Sequence, residues 1–280
     1  MATHLLGTGE VRGLFCLSGV PVFVFHSLAG RDSAPLAGLP ARERKYSSTG
    51  DQFRDQLLAI KRLGGTGTSL KHLVDNRWSL HSGTLIGITF DDGYSSDYEV
   101  AYPLLLASGA RADFFINTAT VGTPGHLPWS QIREMHANGM SIQSHGHHHS
   151  YLTHLAEDAL RHELGVSKRT IEDHLGAEVH FLAVPYGDFN RRVLRVARET
   201  GYRAVCTSRN WPVRPNQYTI NRTAVYGSTA LHEFESLLAR DAIWYGRRAA
   251  RAAAISIPKY VWLQLRRRGI LSAPGASTLS

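Results

Sequence analysis

The chain has 280 residues, 43% hydrophobic and 19% charged, which describes a globular protein with room for one large core. Its two cysteines, Cys16 and Cys206, form no C-x-x-C pair, so neither a disulfide framework nor a cysteine zinc site is expected. Residues 241–280 hold seven Lys and Arg residues against one acid, so most of the net charge of +8 lies in a tail and no nucleic-acid partner is expected.

The N-terminal segment, residues 1–19, carries no strong structural signal. The apolar stretch from Leu14 to Phe25 is interrupted by serine, glycine and proline, whereas a secretory signal has a cationic start and an unbroken apolar centre. We therefore interpret it as a first strand, Val20 to Phe25, that ends at His26, rather than as a cleaved signal. Ala29 to Ser48, with prolines, glycines and mixed charge, is predicted to be a surface loop.

Hydrophobic spacing and glycine stops predict alternating helices and strands along residues 20–240. The predicted helices run from Phe53 to Leu63, Ala101 to Ser108, Trp129 to Asn138, Leu160 to Leu175 and Asn190 to Thr200. The further predicted strands are Thr84 to Phe90, Ala112 to Ile116, Met140 to Ser144, Phe181 to Val184 and Arg203 to Thr207. This alternation indicates one parallel α/β domain, with its active site at the carboxyl ends of the strands.

Two adjacent carboxylates, Asp91 and Asp92, end the strand predicted from Thr84 to Phe90 and precede Gly93. Neighbouring aspartates repel each other unless a cation or a proton lies between them, so the pair indicates a metal site or an acid–base site. Asp-Asp-Gly is also ordinary turn chemistry, and this stretch alone slightly favours the turn.

The run from Ser144 to His149 contains four histidines. His145 and His149 fall on one face if the chain turns helically, and imidazole binds zinc and other divalent transition metals. An exposed loop or an adventitious metal binder is the alternative. With Asp92, however, the pair supplies one carboxylate and two imidazoles at one rim, which is the ligand set of a hydrolytic site.

These motifs resemble those of the polysaccharide deacetylases of the NodB-homology type, carbohydrate esterase family 4. T-F-D-D-G stands at Thr89 to Gly93, H-x-x-x-H at His145 to His149, and a third motif is similar to Val184 to Gly187. The similarity covers roughly residues 20 to 240 in motif order and spacing. It implies a distorted (β/α)7-type barrel and an N-acetylated glycan as substrate.

The resemblance also implies the roles of the site residues. Asp92, His145 and His149 would bind a divalent metal, with zinc expected first and cobalt or nickel as alternatives. Asp91 would remain free as the general base, and the backbone N–H of Tyr186 would stabilise the oxyanion.

Two departures from the family pattern concern the group that orients the base. Ala183 stands where the third motif often has an arginine, and its usual acidic partner would fall near Thr207 to Trp211, where no acid is present. Arg222 is our candidate for orienting Asp91, although a solvated arginine is the simpler interpretation. These departures resemble the branch associated with exopolysaccharide synthesis.

The proton donor for the departing amine has no matching L-x-H motif in this sequence. His232 is late enough in the chain, but its segment has helical spacing and predicts a surface histidine. His26 is the preferred donor, and a core or rim histidine is the alternative.

Four residues near the predicted strand ends are candidates for contact with sugar rings, although each is also typical of packing or of a loop. They are Trp129, Pro185, Tyr186 and Trp211.

The basic tail, residues 241–280, interleaves aromatic and aliphatic residues with arginines, and no apolar run reaches the roughly 18 residues of a spanning helix. This pattern indicates contact with a membrane surface, or a helix packed on the barrel with a solvated basic face. We expect a cytoplasmic protein, peripheral at the inner membrane face, with Ser272 to Ser280 disordered.

The leading functional hypothesis is a metal-dependent N-deacetylase of a polysaccharide, oligosaccharide or lipid-linked glycan, acting in bacterial exopolysaccharide or cell-surface glycan synthesis. A hydrolase of non-sugar amides or cyclic imides on the same scaffold is one alternative. A catalytically impaired, carbohydrate-binding pseudoenzyme is the other.

Overall fold

The computed structural model describes residues 16–30, 44–75, 84–214 and 217–251. The strands are β1 (Val22–Phe25), β2 (Leu28–Ala29), β3 (Ser48–Thr49), β4 (Gly65–Thr68), β5 (Thr84–Asp91), β6 (Asp113–Ile116), β7 (Ser141–Ser144), β8 (Phe181–Ala183), β9 (Ala204–Thr207), β10 (Thr219–Asn221) and β11 (Thr223–Ala224). The α-helices are α1 (Gly50–Arg62), α2 (Leu70–Asp75), α3 (Tyr102–Ser108), α4 (Trp129–Ala137), α5 (Glu157–Leu175), α6 (Arg191–Glu199) and α7 (Leu231–Leu238), and residues 242–251 are helical as well.

The main sheet is parallel and runs in the order β10-β9-β8-β7-β6-β5-β1-β11. Only Arg222 separates β10 from β11, so one short stretch of chain forms both ends of the sheet and nearly closes it into a barrel. If β10 and β11 are taken as one interrupted strand, this path through the described residues has seven strands. The predicted (β/α)7-type barrel is confirmed.

Strand β5 is the longest strand in the part of the chain that the structure describes, and it lies at the centre of the barrel wall. β1 pairs with one of its edges. Its other edge pairs first with β4 and then with β6, since Gly87 faces both β1 and β4 and Thr89 faces both β1 and β6. The strand therefore has partners along its whole length before it delivers Asp91 to the upper rim.

Side chains alternate across the barrel wall because successive residues of a strand point to opposite faces. One buried cluster includes Phe23, Phe25 and Phe90 together with apolar residues of the surrounding helices. The alternate residues, such as Phe115 and Phe181, form a second cluster inside the barrel, joined by Leu70 and Leu73 of α2. Helix α2 therefore closes the lower end of the barrel, and the upper end is left for the site.

The elements that were predicted agree with the structure to within a few residues, whereas α2, β2 and β3 were not predicted. The first strand begins at Val22 rather than Val20, and the helix predicted from Ala101 is preceded by a π-helical turn, Asp97–Ala101. Strand β4 was missed because its sequence, Gly65–Thr68, alternates glycine and threonine and has no apolar pattern. Part of the predicted loop from Ala29 to Ser48 lies outside the described residues.

The beginning of the tail packs against the barrel. The Tyr245 hydroxyl donates to the Leu237 carbonyl, and Arg248 binds the Ala224 carbonyl and the Thr229 hydroxyl. In the described part of the chain, no helix combines the length and apolarity needed to cross a bilayer. The tail beyond residue 251, with the predicted disorder of Ser272 to Ser280, lies outside the described residues, and the division at residues 20 and 240 stays a prediction.

Candidate active site

The two aspartates separate because the backbone turns sharply where β5 ends. Asp92 has φ of 78° and Gly93 has φ of 67°. A Cβ atom on Gly93 would lie 3.0 Å from Ile116 Cδ1, so both conformation and space require glycine there. Asp91, the last residue of the strand, stays inside the barrel while Asp92 faces the rim.

Three non-glycine residues at this rim have left-handed backbone conformations. They are Asp92, His149, with φ of 56°, and Tyr186, with φ of 60°. Such conformations cost about 1–3 kcal/mol each and persist only where the surroundings hold them, which is common at functional sites.

Asp92, His145 and His149 converge on one point. Asp92 Oδ1 lies 3.4 Å from His145 Nε2 and 3.3 Å from His149 Nε2, and one donor atom from each residue lies within 4.8 Å of the others. His145 Nδ1 is 2.9 Å from the Ala183 carbonyl and must donate to it, which leaves the Nε2 lone pair facing the cluster. One carboxylate and two imidazoles in this arrangement fit zinc and related divalent metals.

Asp91 is held by Arg222 rather than by the cluster. The two guanidinium nitrogens donate to the two carboxylate oxygens at 2.6 and 2.7 Å, and Nη1 also donates to the Thr89 hydroxyl. Arg222 is fully buried, between β10 and β11, and its guanidinium also lies over the Phe115 ring at 5.0 Å. The candidate orienting residue therefore forms a buried bidentate pair with the candidate base.

The charged groups around Asp91 and Asp92 favour the ionised form of both carboxyls. Burial acts to raise the pKa of Asp91, but Arg222 and His145 outweigh it and the pKa is lowered. Burial likewise opposes a lowered pKa at Asp92, where the surrounding histidines prevail. Burial lowers the pKa of His149 to about 4, whereas the two aspartates outweigh burial and raise that of His145. Both carboxyls are thus ionised at neutral pH.

An aromatic cleft of about 660 Å³ opens above these residues. Its walls carry three groups of rings, which are Tyr46 between His26 and Tyr226, Tyr94 stacked on His126, and Tyr151 stacked on Tyr186 at 3.9 Å. Aromatic faces of this kind suit the apolar faces of sugar rings. The segment that carries Tyr46 belonged to a predicted surface loop, so its contribution could not be read from the sequence.

His26 and the third motif also reach this cleft. Burial lowers the pKa of His26, and its Nδ1 atom is buried with no hydrogen-bond partner among the described residues. Tyr186 lies between Pro185 and Gly187 in a short 3-10 turn, and its ring packs on that of His149. Pro185, the first residue of this turn, is buried and does not line the cleft.

The two candidate tryptophans do not reach the cleft. Trp129 begins α4 and stacks on His174 of α5, with ring centroids 3.9 Å apart. Trp211 is 40% exposed and lies beside Tyr245 of the tail helix. Neither ring therefore lines this cleft, because each packs on a neighbouring helix, and contact of either ring with sugar stays a prediction. His232 is exposed, as predicted.

Comparisons with known proteins indicate the same family. The family described as polysaccharide deacetylase matches residues 81–205. The Bacillus subtilis protein YxkH, named as a polysaccharide deacetylase, is 32% identical over 140 residues, which cover 49% of this chain and 50% of YxkH. Chitin deacetylase 2 of Cryptococcus neoformans is 31% identical over 40% of this chain and 24% of its own. The chain thus matches half or less of each curated relative's length.

Solved structures extend the likeness to the whole barrel. The Streptococcus pyogenes deacetylase PplD, in complex with acetate, is 24% identical, with a TM-score of 0.68 over 77% of this chain and 96% of its own. IcaB from Ammonifex degensii is 23% identical, with a TM-score of 0.67 over 80% and 97%. At this identity the likeness concerns the fold.

Proposed function

The chain belongs to the polysaccharide deacetylase family of the NodB-homology type, and from that premise we propose that it removes N-acetyl groups from an amino sugar within a glycan. One observation carries the proposal. The Asp92, His145 and His149 donor set lies beside a buried, arginine-paired aspartate at the floor of an aromatic cleft. A hydrolytic site needs these two parts within reach of one substrate carbonyl.

Asp92, His145 and His149 would hold the divalent metal, with zinc as the first expectation and cobalt or nickel as alternatives. When bound, the metal would supply Lewis-acid polarisation of the acetamide carbonyl and lower the pKa of water. The support is the donor chemistry, since the Asp92 carboxyl is ionised and the His145 Nε2 lone pair faces the cluster.

The chain's own residues would carry the proton transfers. Asp91, held by Arg222, would accept the proton of the attacking water. The Tyr186 N–H would donate to the developing oxyanion, and its ring, stacked on Tyr151, would pack on the sugar. The proton that Asp91 accepts would pass to His26, which would donate it to the departing amine as the C–N bond breaks. Acetate and the free amine of the sugar are the products.

Acetate release from N-acetylated glycans tests the proposal. We expect activity that chelation abolishes and added zinc, cobalt or nickel restores. Asp91→Asn should lose acetate release while still binding metal, whereas Asp92→Asn should lose metal binding. Full activity of the chelated protein or of Asp91→Asn would refute this mechanism.

Two alternatives would give different results in the same assay. A hydrolase of non-sugar amides would act on cyclic imides or ureides and leave acetylated sugars intact. A pseudoenzyme would bind glycan but release no acetate when loaded with metal. The Asp91–Arg222 pair argues against the pseudoenzyme, because Arg222 would take the place of the family's usual orienting arginine and keep the base in position. The aromatic cleft favours a sugar over a small non-sugar amide.

We place the enzyme in bacterial exopolysaccharide or cell-surface glycan synthesis, at the cytoplasmic face of the inner membrane. Residues 20–240 would be the deacetylase domain and residues 241–280 a basic tail that contacts anionic lipid. Arg248, in the tail helix, lies 5.6 Å from the ring of Tyr226, which lines the cleft, so the chain leaves the described part near the cleft. The full chain should sediment with vesicles of anionic lipid more than with neutral vesicles. Equal partition of a chain ending at residue 251 would exclude a role for residues 252–280 of the tail.

A further inference from the structure

The histidine turn, residues 145–149, carries two of the three candidate metal ligands and contacts one buried carboxylate of helix α5. Glu163 is only 4% exposed. Its Oε1 accepts the backbone N–H groups of His147 and His148 at 2.9 and 2.6 Å, and its Oε2 lies 2.9 Å from His148 Nδ1. One side chain therefore binds two of the three residues that lie between the ligands.

The backbone of the turn has a shape that needs such support. Gly146 has φ of 81°, and a Cβ atom there would lie 3.2 Å from Glu163 Oε1. His149, directly after the residues that Glu163 binds, has the left-handed φ of 56° that is costly for a side chain with a Cβ. Consecutive N–H groups that point at one anion hold this kind of turn.

The rest of the turn is also fixed at its two sides. The Ser144 hydroxyl forms a hydrogen bond with the hydroxyl of Ser167 of α5 and accepts another from the Tyr202 hydroxyl. On the other side, the Ala119 N–H donates to the His147 carbonyl. The Ser144 contacts hold the residue before the turn, whereas the Ala119 contact and those of Glu163 hold the segment between the two ligands, and Glu163 alone of these groups binds two consecutive N–H groups there.

We propose that Glu163 is a positioning residue for the metal centre, acting through the backbone of the histidine turn to keep His145 and His149 facing Asp92. The inference rests on the proposed function only in taking these three residues as metal ligands. Partners that orient ligands in this way typically change metal affinity 10–100-fold when they are removed.

Position, rather than charge, is what this geometry requires. Glu163→Gln keeps an oxygen that can accept both N–H groups, although it removes the negative charge. Glu163→Asp keeps the charge but withdraws it by about 1.5 Å, the length of one C–C bond, beyond hydrogen-bond reach of the turn. The two variants therefore separate a positional role from a long-range electrostatic one.

Zinc affinity provides the test, measured on metal-free full-length protein by competition with a chromophoric chelator at fixed pH. We expect Glu163→Ala and Glu163→Asp to lose affinity by 10–100-fold and Glu163→Gln to stay within threefold of the wild type. Glu172→Ala is the matched control, because Glu172 lies on the same helix and accepts the Val179 N–H at 2.9 Å, away from the turn. Its zinc affinity should not change.

The outcomes separate this inference from the proposed function. Wild-type affinity in Glu163→Asp, or a loss in Glu163→Gln equal to that in Glu163→Ala, would overturn the positioning role. If the alanine variant does not fold, the aspartate and glutamine variants still decide the matter. If Asp92→Asn binds zinc as tightly as the wild type does, the assignment of the metal ligands is wrong instead.

Discussion

Breaking the buried pair between Arg222 and Asp91 should destabilise the protein strongly. Arg222→Met removes both donors to Asp91 and leaves a carboxylate that is 4% exposed without its cation. Two hydrogen bonds between charged groups contribute about 1.5–3 kcal/mol each, and removing one partner of a buried ion pair costs about 3–5 kcal/mol. We expect the free energy of unfolding to fall by about 3–5 kcal/mol.

A double-mutant cycle isolates the interaction from the loss of packing. Arg222→Met, Asp91→Asn and the double variant would be unfolded in urea, without metal, at pH 7. The double variant should be more stable than the sum of the single effects predicts, by about 2 kcal/mol or more, because it buries no unpaired charge. Arg222→Lys should recover little, because an ammonium group lacks the two-pronged fork.

Additivity would refute this reasoning. If the two single effects sum to that of the double variant within about 0.5 kcal/mol, the side chains do not interact and Arg222 does not orient the base. Unchanged stability of Arg222→Met would refute it as well, since a fully buried guanidinium cannot be lost without consequence if its contacts are those described.

Three further predictions concern residues around the site. Burial raises the pKa of Asp113 to about 7, above its ordinary 3.8, so between these two pH values the folded protein binds a proton that the unfolded chain does not. The free energy of unfolding should therefore fall as pH rises from about 4 to 7. Asp113→Asn should flatten that slope in urea titrations. Gly176→Ala should lower the free energy of unfolding by about 1–2 kcal/mol, because Gly176 has a left-handed φ but open space around it. Gly93→Ala should lower it by more, because Gly93 has a similar φ and an added Cβ would also meet Ile116. Equal losses would contradict the steric argument. Tyr151→Ala should raise KM for a glycan with little change in Tm, whereas Trp129→Ala should lower Tm and leave KM unchanged.

The barrel was predictable because local chemistry and overall fold agree along most of the chain. Apolar runs marked strands such as Phe181–Ala183, and the left-handed glycines Gly109 and Gly176 marked helix ends. Where that agreement fails, prediction failed too. Strand β4 is stabilised by its pairing with β5 rather than by its own composition, and no sequence pattern carries such pairing.

The site was predictable in its motifs but not in its surroundings. The residues Asp91, Asp92, His145 and His149 stand in recognisable spacing, and the structure brings them together. Glu163 was missed because a glutamate in a helix reads as solvated, and only the packing of α5 against the histidine turn reveals its contacts. The positions of Trp129 and Trp211 could not be predicted either, since the sequence does not show which helix an aromatic ring packs against.

The stretch from Thr219 to Ala224, which forms β10 and β11 at the two ends of the sheet, also affects which strand register the chain adopts when it folds. Side chains alternate along the stretch from Thr219 to Ala224, so a slip of one residue would turn Arg222 from the lumen to the helices outside. Asp91 would then keep its charge inside the barrel with no cation beside it. Misregistered closure is thereby penalised, and the Arg222–Asp91 pair favours the correct pairing of the last strand.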